Sequence, residues 1–159
     1  MSDRPTRIAL AGGGAFGAKH VNALKRIDDV EVTAVVSSTL DSATAFAHEH
    51  GVGRPYSTLE EILDAVDVTA IVAANDRVAF GVYQAAQERG VRIPDDLSVV
   101  SFDDEYLASY LRPALTTLQI PYLEMGRTAM QLVLGGEAPA ETLVPMPLQE
   151  RGSVRDLRG

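Results

Sequence analysis

What most constrains this chain is an alternation: short apolar runs rich in β-branched residues take turns with stretches of helical periodicity up to about residue 103. That is the pattern of a parallel sheet covered by helices. Residues 7–11 (RIALA) form an apolar run that stops at Gly12, Gly13 and Gly14, a strand followed by a tight turn. From Phe16, Val21, Leu24 and Ile27 recur at helical spacing until Asp28 and Asp29 break the pattern. Residues 30–36 (VEVTAVV) become wholly apolar at their end, as a strand buried on both faces does. Ser38 or Thr39 caps a second helix with Ala43, Phe46 and Ala47 on one face and Gly51 as its left-handed stop. Residues 54–56 read as a short third strand, and Ser57-Thr58-Leu59-Glu60 as a capping box for a helix to about Ala65. Residues 68–74 (VTAIVAA) are the most hydrophobic strand, Asn75 caps a helix carrying Val78, Val82 and Ala86 to Gly90, and residues 97–102 form another buried strand.

Beyond Asp103 and Asp104 the alternation fails. Residues 116–120 read as an extended crossing segment, Pro121 opens a helix through Leu134 that Gly135-Gly136 ends, and residues 143–148, with Pro145 and Pro147, read as an edge strand. The tail 151–159 is polar and expected to fray. The fold class is therefore α/β: a single domain over residues 1–159, a three-layer α/β/α sandwich with a mostly parallel, doubly wound sheet of about five or six strands. The strand at 7–11 should be central with the strand at 68–74 beside it, so that the glycine turn and Asn75 flank the crevice where strand order reverses.

Composition narrows function. At 159 residues there is room for one domain. With 22 acidic against 14 basic residues and no basic cluster, no nucleic-acid partner is expected. The absence of cysteine removes disulfides, thiolate nucleophiles and Cys-ligated zinc. No apolar run reaches the ~20 residues of a membrane helix and no secretory signal opens the chain, so a soluble, cytoplasmic protein without a membrane partner is expected. His48 and His50, two apart on a helix, point about 200° from each other and cannot share an ion. Asp103, Asp104 and Glu105 lack the spaced ligands of a calcium loop and read as solvated charge. No metal ligand or catalytic residue is assigned.

Gly12-x-Gly14-x-x-Gly17 lies where a strand meets a helix. Gly12 permits the turn, Gly14 lets the backbone approach a pyrophosphate, Gly17 lets the helix pack on the sheet, and the helix N-terminus favours an anion. The same residues also suit a compact turn with no ligand. As a dinucleotide site the loop would contribute Gly12, Gly14, Ala15, Phe16 and Gly17, with Ser37, Ser38 and Asn75 beside it.

The stretch RIALAGGGAFGAKHVNALKRIDDVEVTAVVSST, with its GxGxxGxxH spacing ending at His20, resembles the nucleotide-binding domain of the glucose-fructose oxidoreductase and inositol dehydrogenase family, over about residues 5–67. That resemblance implies NAD(P). It also implies an acidic residue at the end of the second strand for the ribose; Ser37 stands there, next to Ser38, which leans away from NAD specificity. The Glu-Lys-Pro motif with the family's catalytic lysine has no counterpart, since no lysine follows Lys25, so the chain is not expected to be an enzyme. Residues 69–155, carrying AANDRVAFG, RIPDDLSVVSFDD and PALTTLQIP, instead resemble the C-terminal part of the sugar-binding, periplasmic-binding-protein-like domain of lactose-repressor-type regulators. There the resemblance implies that Asn75 and Asp103 face a sugar between two lobes, and that residues 116–134 pack partly on the other lobe, which leaves monomer or homodimer open. Two family patterns meeting between Asp67 and Asn75 suggest an engineered, recombinant chimera of segments 1–67 and 68–159, with no required cofactor and no evolved activity. The alternatives are a module with weak NAD(P), dinucleotide or phosphate affinity, and a truncated sugar-binding regulator domain.

Overall fold

A computed structural model describes residues 5–65, 67–135 and 141–156. In chain order the elements are β1 (Thr6–Ala11), α1 (Ala15–Leu24), β2 (Val30–Val36), α2 (Leu40–His50), β3 (Arg54–Tyr56), α3 (Leu59–Ala65), β4 (Ala70–Ala73), α4 (Asp76–Glu88), β5 (Ser98–Asp103), a 3-10 turn (Tyr106–Tyr110), β6 (Thr116–Gln119), α5 (Tyr122–Gly135) and β7 (Leu148–Gln149). They build one sheet in the order β3-β2-β1-β4-β5-β6-β7. All pairs are parallel except β6 with β7. From β1 the chain winds to β2 on one side and later returns to β4 on the other, so the strand order reverses between β1 and β4, as the sequence reading places it. Among the described residues the sheet has seven strands rather than five or six. Residues 116–119 do not merely cross the sheet but pair in parallel with β5, and β7 adds an antiparallel edge.

Two-residue alternation along the strands separates two apolar layers. Ile8, Leu10, Val32 and Val35 meet Val21 of α1 and Phe46 and Ala47 of α2 on one face. On the other, Ala9, Ala11, Ala34, Ile71, Ala73 and Val99 meet Ile62 of α3 and Ala79 and Val82 of α4. Alanines dominate the central strands on this second face, and their small side chains let α3 and α4 lie close to the backbone.

Helix ends follow local chemistry. Thr39, not Ser38, caps α2: its Oγ1 accepts from the Ser42 amide at 3.2 Å, and Ser42 returns the bond to the Thr39 amide. The box before α3 lies one residue later than expected. Thr58 Oγ1 accepts from the Glu61 amide at 3.2 Å, while the Glu61 carboxylate accepts from the amides of Ser57 and Thr58 at 3.0 and 3.1 Å. Those bonds hold the Glu61 carboxyl below its usual range. Glu60 is bypassed because Thr58, immediately before the first helical residue, holds the cap position.

The tail does not fray over its described part. Ser153 is fully buried; its carbonyl accepts from the Val99 amide at 2.8 Å, and its hydroxyl donates to Val99 O at 2.6 Å and accepts from the Thr116 amide at 2.8 Å. Polar residues here satisfy main-chain groups of β5 and β6 that would otherwise be left open, which is why their polarity did not signal exposure.

Candidate functional site at the carboxyl edge of the sheet

The strand registers align the carboxyl ends. Ala11 stands opposite Ala73, Val72 opposite Val100, and Asp103 opposite Gln119. Carried forward, Asn75 is level with Asp103 on the neighbouring strand, and the Gly12–Gly17 turn lies on the other side of Asn75. The pairing persists into the turn, with the Gly12 amide donating to Val36 O at 3.0 Å and the Ala74 amide to Ala11 O at 2.8 Å.

The glycine turn is shaped by contact. Gly12 has φ +127°, and a Cβ there would stand 2.5 Å from Ala74 Cβ. A Cβ on Gly17 would stand 2.2 Å from Gly12 O, so α1 can lie against the turn only because residue 17 has no side chain. A Cβ on Gly14 would meet no atom within 4 Å, and Gly14 forms the N-cap of α1 with no side-chain cap. Ala15 and Phe16 are exposed on the rim, where Lys19 Nζ sits 5.5 Å from the Phe16 ring centroid. Ser37 adjoins the turn and accepts from Ser42 Oγ at 2.9 Å, whereas Ser38 points outward and is exposed. The structure thus gathers Gly12, Gly17, Ser37 and Asn75, and leaves Ala15, Phe16 and Ser38 outside. His20 stacks on Phe102 with 4.3 Å between ring centroids, and burial lowers its pKa.

Asn75 Oδ1 accepts from the Val78 amide at 3.0 Å, capping α4. Its amide nitrogen keeps no hydrogen-bond partner among the described residues. The next residue, Asp76, is fully buried. One of its carboxylate oxygens accepts from Ser101 Oγ and, at 2.7 Å, from Thr117 Oγ1; the other accepts from the Glu105 amide at 2.7 Å. A single carboxylate therefore ties the start of α4 to β5, to β6 and to the loop after β5. That loop takes left-handed backbone at two non-glycine residues, Asp103 (φ +114°) and Asp104 (φ +57°). Its far side is held by Asp104, which pairs with Arg151 at 2.6 Å while Arg151 also donates to Leu115 O at 2.8 Å. Glu105 pairs with Arg77 at 2.9 Å.

The expectation of simple solvated charge at residues 103–105 is therefore corrected. Asp104 and Glu105 are consumed by ion pairs, and the Asp103 carboxyl, with no hydrogen-bond partner among the described residues, is left facing the edge. Burial, followed by the negative charges of Asp76 and Glu105, raises its pKa. Asp76, Ser101, Thr117 and Arg151 escape the sequence reading; the available signal was the pair of hydroxyl residues, Ser101 and Thr117, at buried strand positions. Among the described residues no three acidic or histidine side chains are placed to hold a metal ion, and no helix is long and apolar enough to cross a membrane.

A groove of about 610 Å³ lies elsewhere, between the flank of α4 and residues 110–113, lined by Phe80, Tyr83, Tyr110 and Leu111. Its cations are already engaged: Arg92 with Asp96 at 2.7 Å and Arg112 with main-chain carbonyls. Tyr83 donates to Pro113 O at 2.9 Å, and burial pushes its hydroxyl pKa up to about 12. The carboxyl edge, where Asn75 and Asp103 lie level on neighbouring strands with an uncommitted amide and carboxylate, is the better candidate site.

The model of the periplasmic binding protein-like domain family matches residues 6–154. The chain belongs to that family. The match begins at β1 and passes through the glycine turn without a break, so it gives no support to a separate oxidoreductase-derived segment or to a chimera. A relative described as the HTH-type transcriptional repressor PurR, from Yersinia enterocolitica, is 32% identical over 146 residues, covering 88% of this chain and 41% of its own length. Among solved structures, a LacI family transcriptional regulator from Arthrobacter sp. FB24 is 25% identical with a TM-score of 0.65, covering 98% of this chain and 58% of that one. The LacI family regulator CCPA from Weissella paramesenteroides, with bound sucrose, is 27% identical with a TM-score of 0.62, covering 96% and 57%. The chain thus spans about two fifths to three fifths of the length of these relatives.

These relatives are transcriptional regulators, not enzymes. The expectation of no nucleic-acid partner is overturned by them, since a helix-turn-helix repressor acts on DNA. The acidic balance misled because net charge reports only on the stretch counted, which is about two fifths of that repressor's length.

Proposed function

We propose that the chain is the ligand-sensing part of a LacI-type transcriptional regulator, and that its carboxyl edge binds a sugar. The observation that carries this is that the β4–β5 register, carried forward, sets Asn75 level with Asp103. With neighbouring strands about 4.8 Å apart, an amide able to donate and a carboxylate able to accept come from adjacent positions of the edge, a combination that suits the adjacent hydroxyls of a polyol. The neighbouring backbone is preset by Asp76 and Arg151, which lowers the ordering cost of binding. Sucrose in the Weissella relative supports a saccharide as the ligand class. DNA control would rest with another part of the regulator. One family match over both halves, together with one continuous sheet, supports this reading over an inactive fusion of two parents.

Titration calorimetry against sucrose, lactose and ribose tests it. Asn75→Asp retains a capping oxygen but replaces the donor by a repelling carboxylate, and should weaken binding at least tenfold with folding intact; Asp103→Ala should do the same. Absence of heat with every sugar, or binding indifferent to both substitutions, would reject the reading. A second reading, NAD(P) or phosphate affinity at the glycine turn, is supported by the α1 N-terminus, whose N-cap Gly14 carries no side chain. A titration followed by NADPH fluorescence, repeated with Gly14→Val, decides it.

A further inference from the structure

Four carboxylates stand at or just behind the candidate site: Asp76, Asp103, Asp104 and Glu105. Two of them have a cation, Asp104 pairing with Arg151 at 2.6 Å and Glu105 with Arg77 at 2.9 Å. Asp103 and Asp76 have none among the described residues. Asp76 is fully buried, and its partners are all neutral: the hydroxyls of Ser101 and, at 2.7 Å, Thr117, and the amide of Glu105 at 2.7 Å. Thr117 Oγ1 in turn accepts from the Asp104 amide at 3.4 Å, which leaves its hydrogen for Asp76. A carboxyl group that takes three donors and offers none is ionised. Hydrogen bonds of this kind solvate the charge without cancelling it, and in low-dielectric surroundings its field reaches further than it would in water.

The start of a helix ordinarily favours an anion. At α4 that capacity is already occupied, since the Asn75 side chain takes the Val78 amide at 3.0 Å and the Asp76 carboxylate stands in the first turn. At α1 it is not: Gly14 gives no side-chain cap and the first turn has no acidic residue. The two helix starts on this edge therefore differ in sign. The half built by α4 and β5 carries two uncompensated negative charges and has no amides to spare at its helix start for a further anion.

We propose, resting on the reading of this edge as a sugar site, that Asp76 is a positioning residue that sets the charge of the ligand: acting from behind Asp103, it makes the edge accept saccharides that are neutral or carry an amino group and turn away sugar phosphates and sugar acids. An ammonium on the ligand meets Asp103 in a charge-assisted hydrogen bond, with the Asp76 charge behind it. A phosphate meets two like charges instead. The titration of Asp103 runs the same way, raised by burial first, then by Asp76 and then by Glu105, and lowered by Arg77. Those are the charged groups that face it from α4 and from its own loop. Asp104 is neutralised by Arg151, and β6 places only the neutral Gln119 opposite. Because Asp76 is buried, salt screens its effect far less than that of a surface charge.

Calorimetry on the 159-residue chain tests this by titrating sucrose, lactose and ribose, each beside its phosphate monoester and an amino-deoxy analogue. For a sugar that binds, the ester should be weaker by about 30-fold and the amine tighter by about fivefold. Asp76→Asn keeps the three hydrogen bonds and removes the charge, and should shrink both ratios by about threefold. Arg77→Gln, at a side chain 80% exposed and so without repacking, should widen both by about twofold. In the ligand-free chain, the titration midpoint of the Asp103 carboxyl, followed by carbon-13 NMR, should fall in the first variant and rise in the second. Ratios near one in the wild-type chain overturn the proposal and leave the sugar reading standing, as do ratios and a midpoint that neither variant moves. A tighter ester whose advantage disappears in Gly14→Val overturns it in favour of the glycine turn. No heat with any sugar or analogue rejects the sugar reading, and this proposal with it.

Discussion

Two turns at the carboxyl edge of one sheet solve the same geometric problem in opposite ways. After β1 the chain reverses through left-handed backbone at Gly12, where any side chain would strike Ala74. After β5 it does so at Asp103 and Asp104, residues that resist that conformation, and it is held there by Asp76 on one side and Arg151 on the other. The first turn is fixed by what is absent and the second by what is bonded. Backbone strain of roughly 1–3 kcal/mol per such residue persists only when the surroundings over-determine it, and the second turn is over-determined by a buried carboxylate and a half-buried guanidinium. Steric turns should therefore fail on adding atoms, and bonded turns on removing them.

The contrast can be broken most severely at Gly17. Gly17→Val drives a side chain into Gly12 O and should cost about 3 kcal/mol or more in urea unfolding. Next comes Asp76→Ala, which strands two buried hydroxyls and the part-buried Glu105 amide at a cost of about 3 kcal/mol and should unprotect the Glu105 amide in hydrogen exchange. Asp76→Asn should recover much of both, because its carbonyl can take the Glu105 amide while its NH2 donates to the two hydroxyls. Arg151→Met should cost about 2 kcal/mol by leaving Asp104 half-enclosed and unpaired.

A smaller effect separates the turns by pH. The raised pKa of Asp103 means that the folded state holds its proton more tightly than the unfolded chain does, so this residue's contribution to stability falls as pH rises from the ordinary carboxylate value, near about 4, through the raised one. Asp103→Asn should raise the melting temperature at pH 7, and the gain should vanish below about pH 4; a gain independent of pH would count against the charge explanation. Smallest of all is Gly14→Ala, which meets no atom within 4 Å and has an ordinary negative φ, and should change stability by no more than about 0.5 kcal/mol.

Legibility in the sequence divides along the same line. Gly12, Gly17 and the Asn75 cap were readable because each acts locally, within a turn or a helix start. The order of β1, β2 and β4 was readable because apolar runs and connection rules leave few options. Asp76, Ser101, Thr117 and Arg151 were not, since their bonds span 25 to 47 positions along the chain, and the hydroxyls of Ser101 and Thr117 within strands mark polarity there without naming its partner. The same distance hid the role of Ser153, whose polarity reads as exposure until β5 and β6 are seen to need it. Family likeness misled in the first half for a related reason: the glycine spacing reports a strand-to-helix turn, which more than one doubly wound family can use.

Both margins of the sheet are blunt. β3 has three residues with Pro55 at its centre, and β7 has two, entered from Pro147. A ladder of main-chain bonds cannot be extended far from either border. Fibril-like growth by adding strand to strand is thereby discouraged, and any self-recognition is steered to side-chain surfaces, where it can stop at a defined number of copies.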